Sequence, residues 1–135
     1  MAITNPITSK IKAFRKRSFL KGLNNRAGKK VLKVFEKNYD KQVFQGDNGR
    51  RKRWAKRKEP DTDPILRDTG RMRKSFQFRS SAKGFEIKNT APYAHYHQEG
   101  TDDMVARPII YHSKTIDKII EKEIFDSLDD LFGVK

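Results

Sequence analysis

The sequence contains no cysteine, and this absence removes several kinds of chemistry. Disulfide bonds, thiolate metal sites and cysteine nucleophiles are all excluded. The chain also lacks any run of about 20 apolar residues, the length that spans a bilayer. Its first residues lack the apolar core of a signal peptide. We therefore expect a soluble protein made in the cytosol, with no membrane partner.

Acidic residues are scarce in the N-terminal part of the chain. Residues 1–58 contain 19 Lys and Arg but three acids, a net charge of +16, whereas residues 59–135 contain 12 against 14, a net charge of −2. Such asymmetry indicates a surface or arm that faces phosphate, an anionic membrane or an acidic protein partner. The charge alone leaves these three open.

Large apolar side chains are present in spite of the charge. Nine Phe, four Tyr and one Trp in 135 residues are enough for one modest core in a single domain. We expect a basic N-terminal extension over residues 1–24 and one α+β domain over residues 25–135.

Two helical segments are predicted before residue 45. A short basic helix is expected within residues 9–20, ended by Gly22. Apolar residues at spacings of three and four then predict a helix near residues 25–44, capped by Asn24 or Asn25.

The clearest predicted helix lies at the C-terminal end of the sequence. Ser113 is a suitable N-cap, an apolar stripe follows it, and Gly133 stands where the helix would end. The polar face of this helix is acidic. It could therefore meet a basic partner or the chain's own N-terminal half.

Between these helices the pattern changes to strands. Alternating apolar and polar residues predict a β-hairpin over residues 75–88. Residues 91–101 fit two helical turns or an irregular loop, and residues 106–112 could add a further strand. The predicted fold is a small antiparallel sheet around the hairpin, covered by the N-terminal and C-terminal helices.

The densest charge falls in a predicted mobile loop at residues 45–64, with Trp54 as an anchor. The candidate contacts with DNA or a partner are Arg50, Arg51, Lys52, Arg53, Trp54, Lys56, Arg57 and Lys58. They could neutralise phosphates while the indole stacks on a base, or they could form a solvated loop. No base-reading motif is present, so any DNA contact should ignore sequence.

Evidence for catalysis is weak, and we predict no enzyme, no cofactor and no metal site. His95, His97 and Glu99 would share one face of an extended strand, as a metal-dependent nuclease could require, but they diverge in a helix. The carboxylates of the polar loop suit turns and caps: Asp61, Asp63 and Asp68.

Two ordered blocks of residues resemble a known family over about residues 25–120. The first block is Leu66, Asp68, Thr69, Gly70 and Ser75, with Met72 in place of a leucine. The second is Tyr93, Ala94, His97, Gln98 and Gly100, followed by Arg107 and Pro108. This order is similar to that of the phage virion morphogenesis family, the Mu-like tail-completion proteins.

The resemblance implies a structural virion protein of the head–tail interface, with no catalytic residues. Such a protein is made in the host bacterial cytoplasm and forms a ring, of six or twelve subunits, at the neck or tail end. Its partners would be portal, adaptor, neck, tail-terminator or tail-tube proteins, with phage DNA in the channel as a further candidate. The competing interpretation is a sequence-independent nucleic-acid-binding protein that acts outside the virion.

Physical reasoning adds two expectations to the resemblance. Gly70 and Gly100 should adopt backbone angles closed to other residues, and Asp68 or Thr69 should bond local amides. A basic patch on one side and an acidic helix on the other would suit head-to-tail pairing of subunits in a ring.

Overall fold

A computed structural model describes residues 12, 16–56 and 70–133 of the chain. The elements in order are α1 (Arg17–Asp40), β1 (Val43–Gln45), β2 (Arg51–Arg53), α2 (Arg71–Lys74), β3 (Phe76–Ser81), β4 (Gly84–Asn89), α3 (Ala94–Glu99) and α4 (Lys114–Phe132). The strands form two antiparallel pairs, β1–β2 and β3–β4. The α+β prediction is confirmed, with two small sheets in place of one.

Helix α1 is longer than predicted at its N-terminal end. It runs through Gly22, so the prediction that this glycine ends a helix is wrong. A glycine inside a helix costs only about 1 kcal/mol relative to alanine, and Leu23 directly after it is buried in the core. The boundary predicted between residues 24 and 25 therefore falls within one continuous helix.

The predicted caps of this helix have a different role in the structure. Asn24 donates a hydrogen bond of 2.8 Å to the carbonyl of Ser81, and Ser80 donates one of 3.3 Å to Asn25. Both asparagines thus contact the β3–β4 hairpin. At its other end α1 stops at Asp40, before residue 44, because Gln42 takes a positive φ of 59°.

The β3–β4 hairpin confirms the predicted strand pair and lies directly on α1. Its register sets Phe78 opposite Ile87. A Cβ on Gly28 of α1 would lie 2.2 Å from Cε2 of Phe78 and 2.8 Å from Cγ of Phe85. The hairpin can approach α1 this closely only because residue 28 has no side chain.

Helix α4 has the predicted bounds and packs beside α1. The hydroxyl of Ser113 accepts the amide of Ile116 at 3.2 Å, and Gly133 ends the helix with a φ of 70°. Glu123 is bonded by Arg26 at 2.7 Å and Lys30 at 2.5 Å. One of the two predicted uses of the acidic face, contact with the chain's own N-terminal half, is therefore confirmed.

The segment between β4 and α4 is one short helix followed by irregular chain. Residues 106–112, which could have added a further strand, form none. The backbone of this segment is instead bonded by the side chain of Gln98. Its Oε1 accepts hydrogen bonds from the amides of Ile109 and Ile110 at 2.9 and 3.0 Å. Its Nε2 donates to the carbonyl of Ile110 at 2.5 Å. A side chain here makes the bonds that a neighbouring strand would make.

In the described part of the chain, the helices are too short or too polar to cross a bilayer.

Candidate assembly surface

The densest charge of the chain lies on an ordered hairpin. β1 and β2 pair from Val43 opposite Arg53 to Gln45 opposite Arg51. The prediction of a loop over residues 45–64 is corrected at residue 45 and residues 51–53, which are strand. Residues 57–64 lie outside the described residues. We call residues 43–56 the basic hairpin; its exposed cations are Arg50, Arg51, Lys52, Arg53 and Lys56. Arg57 and Lys58 also lie outside the described residues.

The turn of the basic hairpin rests on the first turn of α4. Gly49 has a φ of 83°, and a Cβ there would lie 2.6 Å from Oγ1 of Thr115. The amide of Lys114 donates to the carbonyl of Asp47 at 2.9 Å. Only glycine satisfies both the backbone angle and the close approach.

The middle of the hairpin is fixed by a buried polar contact. The hydroxyl of Ser113, which caps α4, donates to Oε1 of Gln45 at 2.9 Å. Ser113 is 0% and Gln45 is 7% exposed. Buried polar groups that are paired in this way define one geometry, because leaving either partner unpaired is costly. The hairpin and α4 are therefore held together at the turn and along the strand.

Trp54, at the end of the hairpin, belongs to the core. It is 4% exposed and meets the ring of Tyr39 edge-on at 5.2 Å between centroids. Its indole N–H donates to the carbonyl of Pro108 at 3.0 Å, and its backbone amide donates to Gln42 at 2.9 Å. The expectation that Trp54 is offered to a base or a partner is corrected, since both the ring and its N–H are engaged within the chain.

Arg107 holds the segment that follows Trp54. Its Nε donates to the carbonyl of Ala55 at 3.0 Å, and its Nη2 to that of Lys56 at 3.3 Å. The planar guanidinium reaches two successive carbonyls, which a lysine ammonium would not reproduce. The Arg-Pro pair after the second block thus binds residues 54–56. The side chain of Arg107 binds residues 55 and 56, and the carbonyl of Pro108 binds Trp54.

The rest of the second block builds the loop that carries this pair. Ala94 is buried, and Gly100 has a φ of 76°, with only 2.9 Å from a Cβ position to the carbonyl of Met104. The expectation for Gly100 is confirmed. Tyr93 meets His97 edge-on at 5.9 Å. Burial, with the charge of Arg107, lowers the pKa of His97, so its imidazole favours the neutral form.

The first block is described from Gly70 onward. Gly70 has a φ of 70°, as expected, and Met72 is 2% exposed. Ser75 donates from its hydroxyl to the carbonyl of Arg71 at 2.6 Å, which closes the short helix α2. Leu66, Asp68 and Thr69 lie outside the described residues, so the expected amide contacts of Asp68 and Thr69 stay predictions.

Asn89, which the sequence did not single out, joins the two blocks. Its Nδ2 donates to the carbonyl of Met72 at 2.7 Å, and its Oδ1 accepts the amide of Ala91 at 3.0 Å. In the sequence, Asn89 stands at the end of an alternating strand, just before a segment that contains proline. This position indicates a residue whose side chain bonds the backbone of a turn.

Two acids of α1 that precede the basic hairpin in sequence are bound by a residue of α2. Arg73 donates to Asp40 and Glu36, each at 2.8 Å, and the hydrogen bond to Asp40 is the largest reason that the pKa of Arg73 is raised. Among the described residues, no carboxylate pairs with the cations of the basic hairpin. The surface therefore presents unneutralised positive charge on a fixed scaffold.

A metal site does not form where the sequence offered one. His95, His97 and Glu99 lie on helix α3, so the extended chain that would align them is absent, and His97 points away from the other two. Within residues 16–56 and 70–133, no three His, Asp or Glu side chains are grouped to hold a metal ion.

Comparison with known proteins agrees with the residue blocks. A family model described as the phage virion morphogenesis family matches residues 24–128, which include both blocks and the basic hairpin. No curated protein and no solved structure matches the chain significantly.

Proposed function

This chain belongs to the phage virion morphogenesis family, and on that premise we propose that it completes the head–tail interface of the virion as a ring of identical subunits. Membership in the family supports a structural role in building phage particles. The narrower assignment, a tail-completion or neck protein located at the head–tail junction, is the proposal.

The hydrogen bonds of three polar side chains in and beside the two residue blocks support a structural role. Gln98, Arg107 and Asn89 bind backbone groups of their own chain. Each of these hydrogen bonds therefore fixes the position of a loop. An assembly protein needs this kind of rigid surface, because a preformed contact loses less conformational entropy on binding.

The basic hairpin is the observation that carries the proposal. Five exposed cations stand on a scaffold fixed by Ser113, Trp54 and Arg107. Fixed positive charge that pairs with no carboxylate of residues 16–56 and 70–133 attracts an anionic surface and excludes basic ones. At a head–tail junction that surface is either DNA in the channel or an acidic face of a neighbouring protein.

The proposal is tested with a phage that lacks this gene. We expect its lysates to contain separate heads and tails, which purified protein joins into infectious particles. Mass spectrometry of purified wild-type virions should detect the protein. Joined particles in its absence would contradict the proposal. If the protein is also missing from virions and binds duplex DNA with a steep salt dependence, the nucleic-acid-binding alternative is selected.

A further inference from the structure

The outer stripe of α4 changes sign along its length. Five of its exposed residues recur at spacings of three and four: Lys114, Lys118, Glu121, Phe125 and Asp129. Lys122 and Asp130 are exposed beside them, and Lys122 is paired with Asp126. Lys114 and Lys118 stand at the end that carries the basic hairpin. The far end is acidic around Phe125, which at 63% is the most exposed large apolar side chain in the described part of the chain. We call Glu121, Phe125 and Asp129 the acidic end.

The carboxylates of the acidic end differ from the others on α4. Glu123 is bound by α1, and Asp126 pairs with Lys122 at 2.7 Å. Glu121 and Asp129 pair with no cation among the described residues. The last turn of α4 contains no basic residue, so Asp129 stands where the helix dipole disfavours negative charge. The charge of Asp129 does not stabilise its own helix, which suits a role toward an outside cation.

Within one chain, the basic hairpin is far from the last residue of the acidic end. The hairpin is bonded to the first residue of α4 through Lys114, and Asp129 lies 15 residues further along the same helix. At 1.5 Å per residue Asp129 is about 22 Å from Lys114, whereas Glu121 is about 10 Å from it, so one hairpin cannot span the acidic end of its own chain. Two copies of the chain can make the contact, and a contact between two different surfaces is the kind that closes into a ring.

We infer that the basic hairpin of one subunit docks on the acidic end of α4 of the next copy in the ring. Arg51 and Arg53 project from one face of β2, about 7 Å apart. Successive members of the acidic end lie about 6 Å apart along the helix axis. One guanidinium therefore pairs with a carboxylate while the other covers the ring of Phe125.

This inference rests on the proposed ring and names its contacting surfaces. It also selects between the two anionic surfaces, because a hairpin held by the next subunit is not available to DNA.

The test exchanges charge between the two surfaces. One variant carries Arg51→Glu and Arg53→Glu, and the second carries Glu121→Arg and Asp129→Arg. Each should fail to assemble alone, because like charges then meet at every contact. An equimolar mixture should assemble, since each variant now complements the other at both of its surfaces. An alternating ring of this kind closes only with an even number of subunits.

Two readouts follow the mixture: particle mass in solution by mass photometry, and joining of heads to tails in a lysate lacking the protein. We expect a loss of joining of at least tenfold for each variant and recovery to within about threefold for the mixture. Reversal of Lys29 and Lys33, exposed on α1, is the matched control and should assemble normally. Circular dichroism verifies that every variant is folded.

Failure of the mixture in both readouts overturns the inference. If the hairpin variant alone still blocks joining, the proposed function stands and the hairpin faces DNA or another protein. If the acidic-end variant alone weakens joining without recovery in the mixture, another cation, such as the basic N-terminal segment, occupies that surface. A phage that joins heads and tails without the protein contradicts the proposed function, whatever the mixture does.

Discussion

Replacement of Trp54 by phenylalanine tests whether this residue anchors the basic hairpin or contacts a partner. The change removes the indole N–H, which donates to the carbonyl of Pro108 at 3.0 Å. Loss of that bond costs about 1 kcal/mol, since Pro108 is only partly buried. The smaller ring also leaves part of the space beside Tyr39 empty, which costs about 1–2 kcal/mol more. We therefore expect Trp54→Phe to lower the free energy of unfolding by about 2–3 kcal/mol.

Urea unfolding followed by far-UV circular dichroism measures this loss, because the variant removes the chain's one tryptophan and with it the fluorescence signal. Lys52→Gln is the matched control on the same hairpin and should change stability by less than about 0.5 kcal/mol. Under conditions where Trp54→Phe is folded, it should still join heads to tails. A loss of stability below about 1 kcal/mol together with a loss of joining would show that the indole serves a partner.

Three further substitutions test the geometry by urea unfolding. Gly49→Ala should lower the free energy of unfolding by about 2 kcal/mol or more, because the new Cβ would meet Thr115, whereas Gly46→Ala should not, since its Cβ has 3.4 Å to the nearest atom. Gln42→Gly should raise it by about 0.5–1 kcal/mol by relieving a positive φ. Glu123→Gln should lower it by about 1–2 kcal/mol at pH 7, and the difference from wild type should vanish in acid.

The pH dependence of this last variant follows from the surroundings of Glu123. Burial alone would raise its pKa, but the hydrogen bonds from Lys30 and Arg26 outweigh burial and hold the pKa below its ordinary value of 4.5. A depressed pKa in the folded state stabilises the protein above the unfolded pKa, and this contribution is lost as the pH falls through the folded pKa. The curves of wild type and variant should therefore converge as the pH falls through the folded-state pKa of Glu123, below 4.5. A difference that persists there would mean that Glu123 acts by packing.

A helix or strand could be predicted where its cap, its apolar pattern and its end residue all lie within one stretch of sequence. Helix α4 has its cap at Ser113, its apolar stripe and its terminal Gly133 all in sequence order. The β3–β4 hairpin shows a period of two on both strands. Gly22 was misread because a glycine inside a helix and one at its end look alike locally, and the burial of Leu23 in the core decides between them.

The strands of the basic hairpin could not be predicted from hydrophobic periodicity, because the second strand is fully charged. Arg51–Arg53 contains no apolar residue, so periodicity could not reveal a strand, although the Gly46–Gly49 turn after Val43 was a usable signal. The position of Trp54 could not be predicted, because its partners Tyr39 and Pro108 are distant in sequence. The resemblance identified Gln98 and Arg107, but only the fold shows which backbone groups they bind.

Above all, we propose that the charge of the basic hairpin makes the contact that joins heads to tails. The most direct measurement compares two variants that each lose three exposed cations, in a lysate that contains heads and tails but lacks this protein. The hairpin variant replaces by glutamine Arg51, Lys52 and Arg53. The control variant replaces by glutamine Lys29, Lys33 and Lys37, which are exposed on α1. We expect the hairpin variant to be folded and to join heads to tails at least tenfold less than wild type, while the control joins normally. Equal joining by the two variants would contradict the claim.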